Sequence, residues 1–222
     1  MTPGRRYWFA YRVPSDPTLS PMSAVPPPPA APAPVSAPTH RALFAKNFFR
    51  HPRMLGSIVP SSRFLIRRLL DEADWSRART VVEYGPGVGT ITRAILDRMR
   101  PDARLVVFET NPDFVHVLRS TFPDPRLDVV EGSAADVEEA LAVRGIVGAD
   151  VAVSGIPFST MPPAVRTSIV SATCRVLRPD GTFMVYQFSL AVLPDLKRAF
   201  SVVRRRFEPL NVPPVLLFYC TR

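Results

Sequence analysis

Only two cysteines occur among the 222 residues, Cys174 and Cys220, and only three histidines. Both cysteines sit inside apolar periodic segments. They read as small buried side chains in a reducing compartment, which excludes a disulfide framework, a Cys/His metal centre and a redox pair. No apolar run approaches the roughly 18–20 residues of a spanning helix, so a membrane-crossing segment is excluded as well. The run from Tyr7 to Tyr11 is cut by Arg12 and Pro14 and is too short for the core of a signal peptide. Acidic residues are missing altogether from 40–68, which carry Arg41, Lys46, Arg50, Arg53, Arg63, Arg67 and Arg68 with His40 and His51. Residues 69–222 balance 18 basic against 18 acidic side chains, so most of the net charge of +9 gathers in 40–68. A basic segment of this kind suits an anionic partner, either a phosphodiester backbone or lipid head groups. The competing reading is a solvated helix face.

Proline is concentrated rather than scarce: 11 of the 26 lie in residues 1–39, with four in a row at 26–29. Such a stretch buries too little apolar surface to offset its ordering entropy and is expected to be a disordered or polyproline II leader. Met22 is an alternative start. The folding unit is therefore 40–222, long enough for one core. From Thr80 onward β-branched runs alternate with helical patterns. The strand-like runs are 80–84, 104–109, 127–131, 150–154, 181–188 and 215–220; the amphipathic stretches are roughly 89–99, 112–121, 134–143, 162–177 and 192–205. Runs apolar on both faces suit a parallel sheet covered by helices, so the alternation predicts a doubly wound α/β fold. The segments 207–211 and 214–220, joined by Asn211 and Pro213-Pro214, leave no room for a helix and predict an antiparallel hairpin at the sheet edge.

Two basic helices are expected ahead of the sheet. The first, about 41–51, sets Phe44, Phe48 and Phe49 on one side and Lys46 and Arg50 on the other. The second begins after Pro60 with Ser61 or Ser62 as N-cap and runs to about Glu72.

The strongest local signal is V-V-E-Y-G-P-G-V-G-T at 81–90. A strand delivers Glu83, and Gly85, Gly87 and Gly89 then turn the chain into a helix, letting backbone approach a ligand where a Cβ would intrude. Glu109 ends the next strand, where a carboxylate can accept both hydroxyls of a ribose. A dinucleotide fingerprint would need Gly at position 90, which is Thr. This spacing resembles class I S-adenosylmethionine-dependent methyltransferases. The resemblance implies that Glu83 faces the amino group of the methionine part, that the three glycines face its backbone, and that Glu109 binds the ribose with Thr110 beside it. After the third strand, E-G-S-A-A-D (131–136) sets Ser133 where such enzymes carry an acidic or amide contact to adenine, with Asp136 three residues on.

The segments 56–62, 83–89, S-G-I-P-F-S-T-M-P (154–162), Y-Q-F (186–188) and N-V-P-P-V (211–215) together are similar to bacterial phospholipid N-methyltransferases. These are soluble enzymes peripheral to the cytoplasmic membrane that convert phosphatidylethanolamine stepwise to phosphatidylcholine. The resemblance implies a Rossmann-like methyltransferase domain at 80–222, mostly parallel with an antiparallel C-terminal hairpin. It is preceded by membrane-binding and cofactor-covering helices at 40–79. It implies S-adenosylmethionine as cofactor, S-adenosylhomocysteine as product, and no metal. Ser61 would close over the cofactor, while Ser154, Gly155, Pro157 and Tyr186 would position the amine. Phe44, Lys46, Phe48, Phe49, Arg50 and Arg53 would meet an anionic membrane and the lipid phosphate, on the inner face of the membrane. An ornithine lipid is an alternative acceptor. The related rRNA adenine dimethyltransferases carry Asn-Leu/Ile-Pro-Tyr/Phe after the fourth strand. Here Ser154-Gly155 replaces that Asn, so the hydrogen-bond pair that holds a flipped adenine is missing and no nucleic acid is expected. A third class, an inert lipid- or RNA-binding module that kept the fold, is disfavoured by the intact Glu83, Gly85, Gly87 and Glu109.

Overall fold

In a computed structural model, which describes residues 62–222, the six strand-like runs and a seventh strand at 202–208 form one sheet. The strands are β1 (Thr80–Tyr84), β2 (Arg104–Glu109), β3 (Leu127–Glu131), β4 (Ala149–Ser154), β5 (Leu177–Gln187), β6 (Val202–Glu208) and β7 (Val215–Thr221). The helices are α1 (Arg63–Leu70), α2 (Thr90–Leu96), α3 (Pro112–Thr121), α4 (Val137–Ala142), α5 (Pro163–Val176) and α6 (Leu193–Ala199). Strand order is β3-β2-β1-β4-β5-β7-β6, with β1 to β5 parallel and β7 antiparallel to both its neighbours. The expected leader, the helix at 41–51, and Ser61, Phe44, Lys46, Phe48, Phe49, Arg50 and Arg53 lie outside the described residues.

Strand alternation divides the core in two. Val82, Tyr84, Val106, Phe108, Phe183 and Val185 point to one face and pack under α4, α5 and α6. Val81, Leu105, Val107, Val153, Met184 and Leu217 point to the other, under α1, α2 and α3. Residues 178–180, together with Gly181, leave the β4–β5 pairing, which jumps from Ala149↔Leu177 to Val151↔Thr182.

One expectation needs correcting. The helix expected over 192–205 ends at Ala199, and 202–208 is strand β6, where the hairpin was expected to begin only at 207. Arg204, Arg205 and Arg206 imitate a solvated helix face, but an edge strand exposes one whole side and takes charges there without cost to the core. Pairing with β7 from Val202↔Thr221 to Glu208↔Val215 overrides local propensity.

The start of α1 is tied to the hairpin through Asn211, which is 2% exposed. Its Oδ1 accepts from the Ser62 backbone N–H at 3.0 Å, and its Nδ2 donates to the Pro213 carbonyl at 2.8 Å. Ser62 in turn caps α1, its Oγ accepting from the Leu65 N–H at 3.1 Å. The Tyr219 hydroxyl of β7 donates to the Arg68 carbonyl at 2.7 Å, pinning the middle of the same helix. Replacing Asn211 by Ala orphans the Ser62 N–H and leaves a void at a nearly closed position. The expected cost is roughly 1–3 kcal/mol, read as a lower thermal midpoint. Ser62→Ala should cost about 1 kcal/mol, and the double variant should lose less than the sum, because both act on one joint.

Candidate active site

The parallel strands all end on one side, and the motif residues come together there. Glu83, at the end of the central strand β1, is 2% exposed and accepts a hydrogen bond from the Thr92 hydroxyl of α2 at 2.7 Å. Alternation puts it on the same face as Val81 and Val107. Glu109, two residues beyond Val107 on β2, shares that face and is 7% exposed. Its carboxylate accepts from the backbone N–H groups of Gly87 at 3.1 Å and Asn111 at 2.9 Å. Asn111 also caps α3 with its side chain.

Burial pushes both carboxyls up. Glu83 rises from its ordinary 4.5 to about 8, chiefly by desolvation, with the neighbouring Glu109 charge adding to the rise and Thr92 opposing it. Glu109 is raised by desolvation and restrained by the backbone N–H groups of Asn111, Gly87 and Thr110.

Gly85, Gly87 and Gly89 all adopt positive φ, at 67°, 56° and 85°, a conformation that costs side-chain-bearing residues but not glycine. A Cβ on Gly85 would stand 2.6 Å from Ile156 Cγ2, and one on Gly89 would collide with the Phe122 ring. The loop therefore wraps Glu109 with bare backbone on one side and packs against side chains on the other. This donor set fits the cofactor of the class. Two desolvated carboxylates on one face suit a ligand with cationic groups and a ribose, and the glycine backbone leaves room for it.

Beyond β4, the Gly155 N–H donates to the Tyr84 carbonyl at 2.9 Å, and the Tyr186 hydroxyl lies 2.5 Å from where a Gly155 Cβ would be. Only glycine fits beside that phenol. Gln187, 5% exposed, donates from Nε2 to the Ile156 carbonyl at 2.8 Å and so ties the Gly155–Pro157 loop to the end of β5. The Pro157 carbonyl accepts from the Thr160 side chain at 2.9 Å and backbone at 3.0 Å. Ser154 behaves differently from its neighbours. It pairs in register with Tyr84 and Val185, which face α5, so its side chain lies on the opposite face from Glu83 and Tyr186. Its Oγ is buried and has no hydrogen-bond partner.

Ser133 caps the short turn at Ala134–Asp136 by accepting from the Ala135 N–H at 3.1 Å, and Asp136 is exposed at the end of that turn. Thr110 is exposed directly after Glu109. The sequence assigned no site role to Thr92 or Gln187, and read Asn111 with Pro112 only as the start of a helix. Thr92 lies two residues beyond the 81–90 motif and Asn111 two beyond Glu109; what was missing was the face each would present.

Residues 48–144 match the family model for ribosomal RNA adenine dimethylase. The chain is 38% identical over 180 residues to the ornithine lipid N-methyltransferase of Singulisphaera acidiphila, an alignment that covers 80% of this chain and 94% of that one. It is 28% identical over 178 residues to the ribosomal RNA small subunit methyltransferase A of Deinococcus radiodurans, covering 77% of this chain and 59% of that enzyme. Among solved structures, human methyltransferase-like protein 13 in complex with SAH superposes with a TM-score of 0.51 at 19% identity, over 78% of this chain and 81% of that one. The fold and these relatives define a class I S-adenosylmethionine-dependent methyltransferase. The chain belongs to the family of the Singulisphaera ornithine lipid N-methyltransferase.

The raised pKa of Glu83 makes a stability prediction. The folded chain retains a proton that the unfolded chain releases between pH 4.5 and about 8, so its stability falls as pH rises through that window. Glu83→Gln removes the charge and keeps the shape. The ligand-free variant should melt above the wild type, by little near pH 4.5 and by most at pH 8 and above. Each 1 kcal/mol corresponds to about 2–4 °C at this size. Thermal melts at pH 5 and pH 8.5 check it; an equal difference at both would show that Glu83 is not held neutral.

Proposed function

We propose that this enzyme transfers methyl groups to the amine of a membrane lipid, with the amine of an ornithine lipid as the first acceptor to test. The observation that carries the reading is the 38% identity to an ornithine lipid N-methyltransferase across 94% of its length. Phosphatidylethanolamine and its mono- and dimethyl forms are the second reading, because they too present an amine beside an anionic group, and the segments 56–62 and 154–162 are the specific parts of that resemblance.

S-adenosylmethionine supplies an electrophilic methyl group on a sulfonium. Glu83, Gly85, Gly87, Gly89, Glu109, Thr110 and Ser133 would hold it; Ser61, expected to cover it, lies outside the described residues. Glu83 gives up its proton when it meets an ammonium, since an opposite charge in a dry site favours the carboxylate. An acceptor amine resembles lysine, with a pKa of about 10, and must shed both water and a proton before it can attack. Gly155, Pro157 and Tyr186 line its approach. Gln187 acts as a positioning residue, holding their loop through the Ile156 carbonyl. The end of β4 offers backbone rather than a side-chain amide, because Ser154 turns to the other face. That supports a small alkylamine over a flipped adenine, which needs a matched donor and acceptor. No helix among the described residues is long and apolar enough to cross a membrane. The proposed route to the lipid is surface binding, with the basic segment 40–68 contributing roughly 1 kcal/mol per cation near anionic lipid.

The test is the purified full chain with S-adenosylmethionine and vesicles containing ornithine lipid or phosphatidylethanolamine, read by mass spectrometry of the extracted lipid. Methylated ornithine lipid is the expected product. Methylated phosphatidylethanolamine alone would select the second reading, and no methylated lipid from an enzyme that binds the cofactor would defeat both. In the same preparation, Glu109→Ala should weaken S-adenosylmethionine binding by roughly 1.5–3 kcal/mol. Calorimetry showing unchanged affinity in a folded variant would remove Glu109 from the cofactor site.

A further inference from the structure

Ten large apolar side chains are exposed among the described residues, and they are not spread evenly. Chain direction shows where each lies. Strands β1 to β5 run parallel, and β6 runs with them because β7 is antiparallel to both β5 and β6. The β6–β7 loop at 209–214 therefore sits at the same end as Glu83 and Glu109. So does the segment that follows β5, and so does the start of α1, which Asn211 ties to that loop. Seven of the ten are at this end, including Phe64, Phe188, Leu190, Phe207, Leu210 and Val212; only Val143, Val147 and Val202 are at the other. Leu210 and Val212 are 59% and 81% exposed on the hairpin tip. Phe64 and Leu210 line one groove of about 460 Å³ between α1 and the hairpin.

Of the acids at this groove, Asp71 and Glu72 are paired with Arg67 at 3.5 Å and Arg204 at 2.8 Å. Arg63, Arg205 and Arg206 are exposed, and the Arg63 guanidinium lies over the Phe64 ring at 4.8 Å from its centroid. The carboxylate at the top of the hairpin, Glu208, is buried, bound to Arg68 at 3.3 Å and to the Leu210 N–H at 2.8 Å. An apolar tip flanked by exposed arginines, with its acid withdrawn, complements an anionic bilayer surface.

We propose that the β6–β7 hairpin tip inserts into an anionic lipid bilayer and seats the open end of the methyltransferase site on the membrane. This rests on the lipid reading given above but uses a surface other than the 41–51 segment. Phe207, Leu210 and Val212 enter the head-group layer, Phe64 lies at its boundary, and Arg63, Arg205 and Arg206 meet lipid phosphates. A lipid amine then reaches the carboxyl ends of β4 and β5 without leaving the interface entirely.

The experiment uses the full chain and vesicles of phosphatidylethanolamine with an anionic phospholipid. The triple variant Phe207→Ser, Leu210→Ser and Val212→Ser alters only exposed side chains, so its melting temperature should match the wild type. Its vesicle affinity should fall by about tenfold or more, with S-adenosylmethionine affinity unchanged. Separately, Leu210→Trp reports insertion directly: brominated lipid should quench its added fluorescence beyond that of the unmodified chain. Unchanged sedimentation of a folded triple variant overturns the proposal. So does a Trp at 210 that is unquenched by brominated lipid, or already shielded from solvent before vesicles are added, which would mean that the chain itself covers the tip. These outcomes are independent of the lipid reading, which fails separately if the unmodified enzyme methylates no lipid.

Discussion

Two carboxylates are desolvated side by side on one face of the sheet, and much of the rest of the structure serves to keep them there. Glu83 and Glu109 end adjacent parallel strands, so register and alternation hold both on the face shared with Val81 and Val107. Among the described residues neither is neutralised by a cationic side chain: the hydroxyl of Thr92 serves one, and backbone N–H groups serve the other. Burial, with the Glu109 charge adding to it, raises the Glu83 carboxyl so that it holds its proton to about pH 8. The cofactor of this class brings an ammonium and a sulfonium, which is the charge this site lacks. On the function proposed above, transfer of the methyl group removes the sulfonium charge, so the same pair of carboxylates would favour the cofactor over the spent product.

That arrangement requires a loop of unusual backbone. To donate from Gly87 to Glu109 while turning into α2, the chain takes left-handed conformations at three alternate positions. Space excludes side chains as firmly as torsion does, since Ile156 stands over Gly85 and Phe122 over Gly89. Phe122 is itself fixed at the end of α3, and the Arg93 guanidinium lies over its ring at 4.5 Å. The glycine pattern is thus a joint between α2, α3 and the loop after β4. A substitution at Gly89 would move Phe122 before it touched any ligand.

The central strands were legible in the sequence because their periodicity is strong: β1, β2 and β3 begin and end where the β-branched runs do. Glycines at alternate positions and an acid at the next strand end were equally plain, because both reflect backbone constraints. Side-chain partnerships were not. Thr92 meets Glu83 only because α2 returns over β1, and Gln187 reaches the Ile156 carbonyl only because β5 lies beside β4. Strand β6 was hidden for a different reason. Three arginines in succession carry no apolar alternation, and their strand identity comes wholly from pairing with β7. Ser154 illustrates the limit from the other side. Its place in the motif was readable, but which face it takes follows from register with Tyr84 and Val185.

The antiparallel hairpin decides which end of the molecule can meet a surface. Had β7 joined the sheet parallel to β5, its incoming connection would lie at the amino end, among ion pairs such as Arg178–Asp150 at 3.3 Å and Arg79–Asp102 at 3.9 Å. That end is polar and suits water. Reversal of β7 delivers the loop at 209–214 to the carboxyl end, beside the start of α1 and level with the last residues of β5, since Gln187 and Phe207 both pair with Leu216. The strand that breaks the parallel pattern thus supplies both the residue that anchors α1, Asn211, and the exposed apolar tip beside it. The two buried carboxylates, the glycine loop, the Tyr186 phenol and the apolar rim all share one end of one sheet. On the function proposed above, with an amine at a bilayer surface as acceptor, that shared end would let substrate and cofactor approach without either crossing the core.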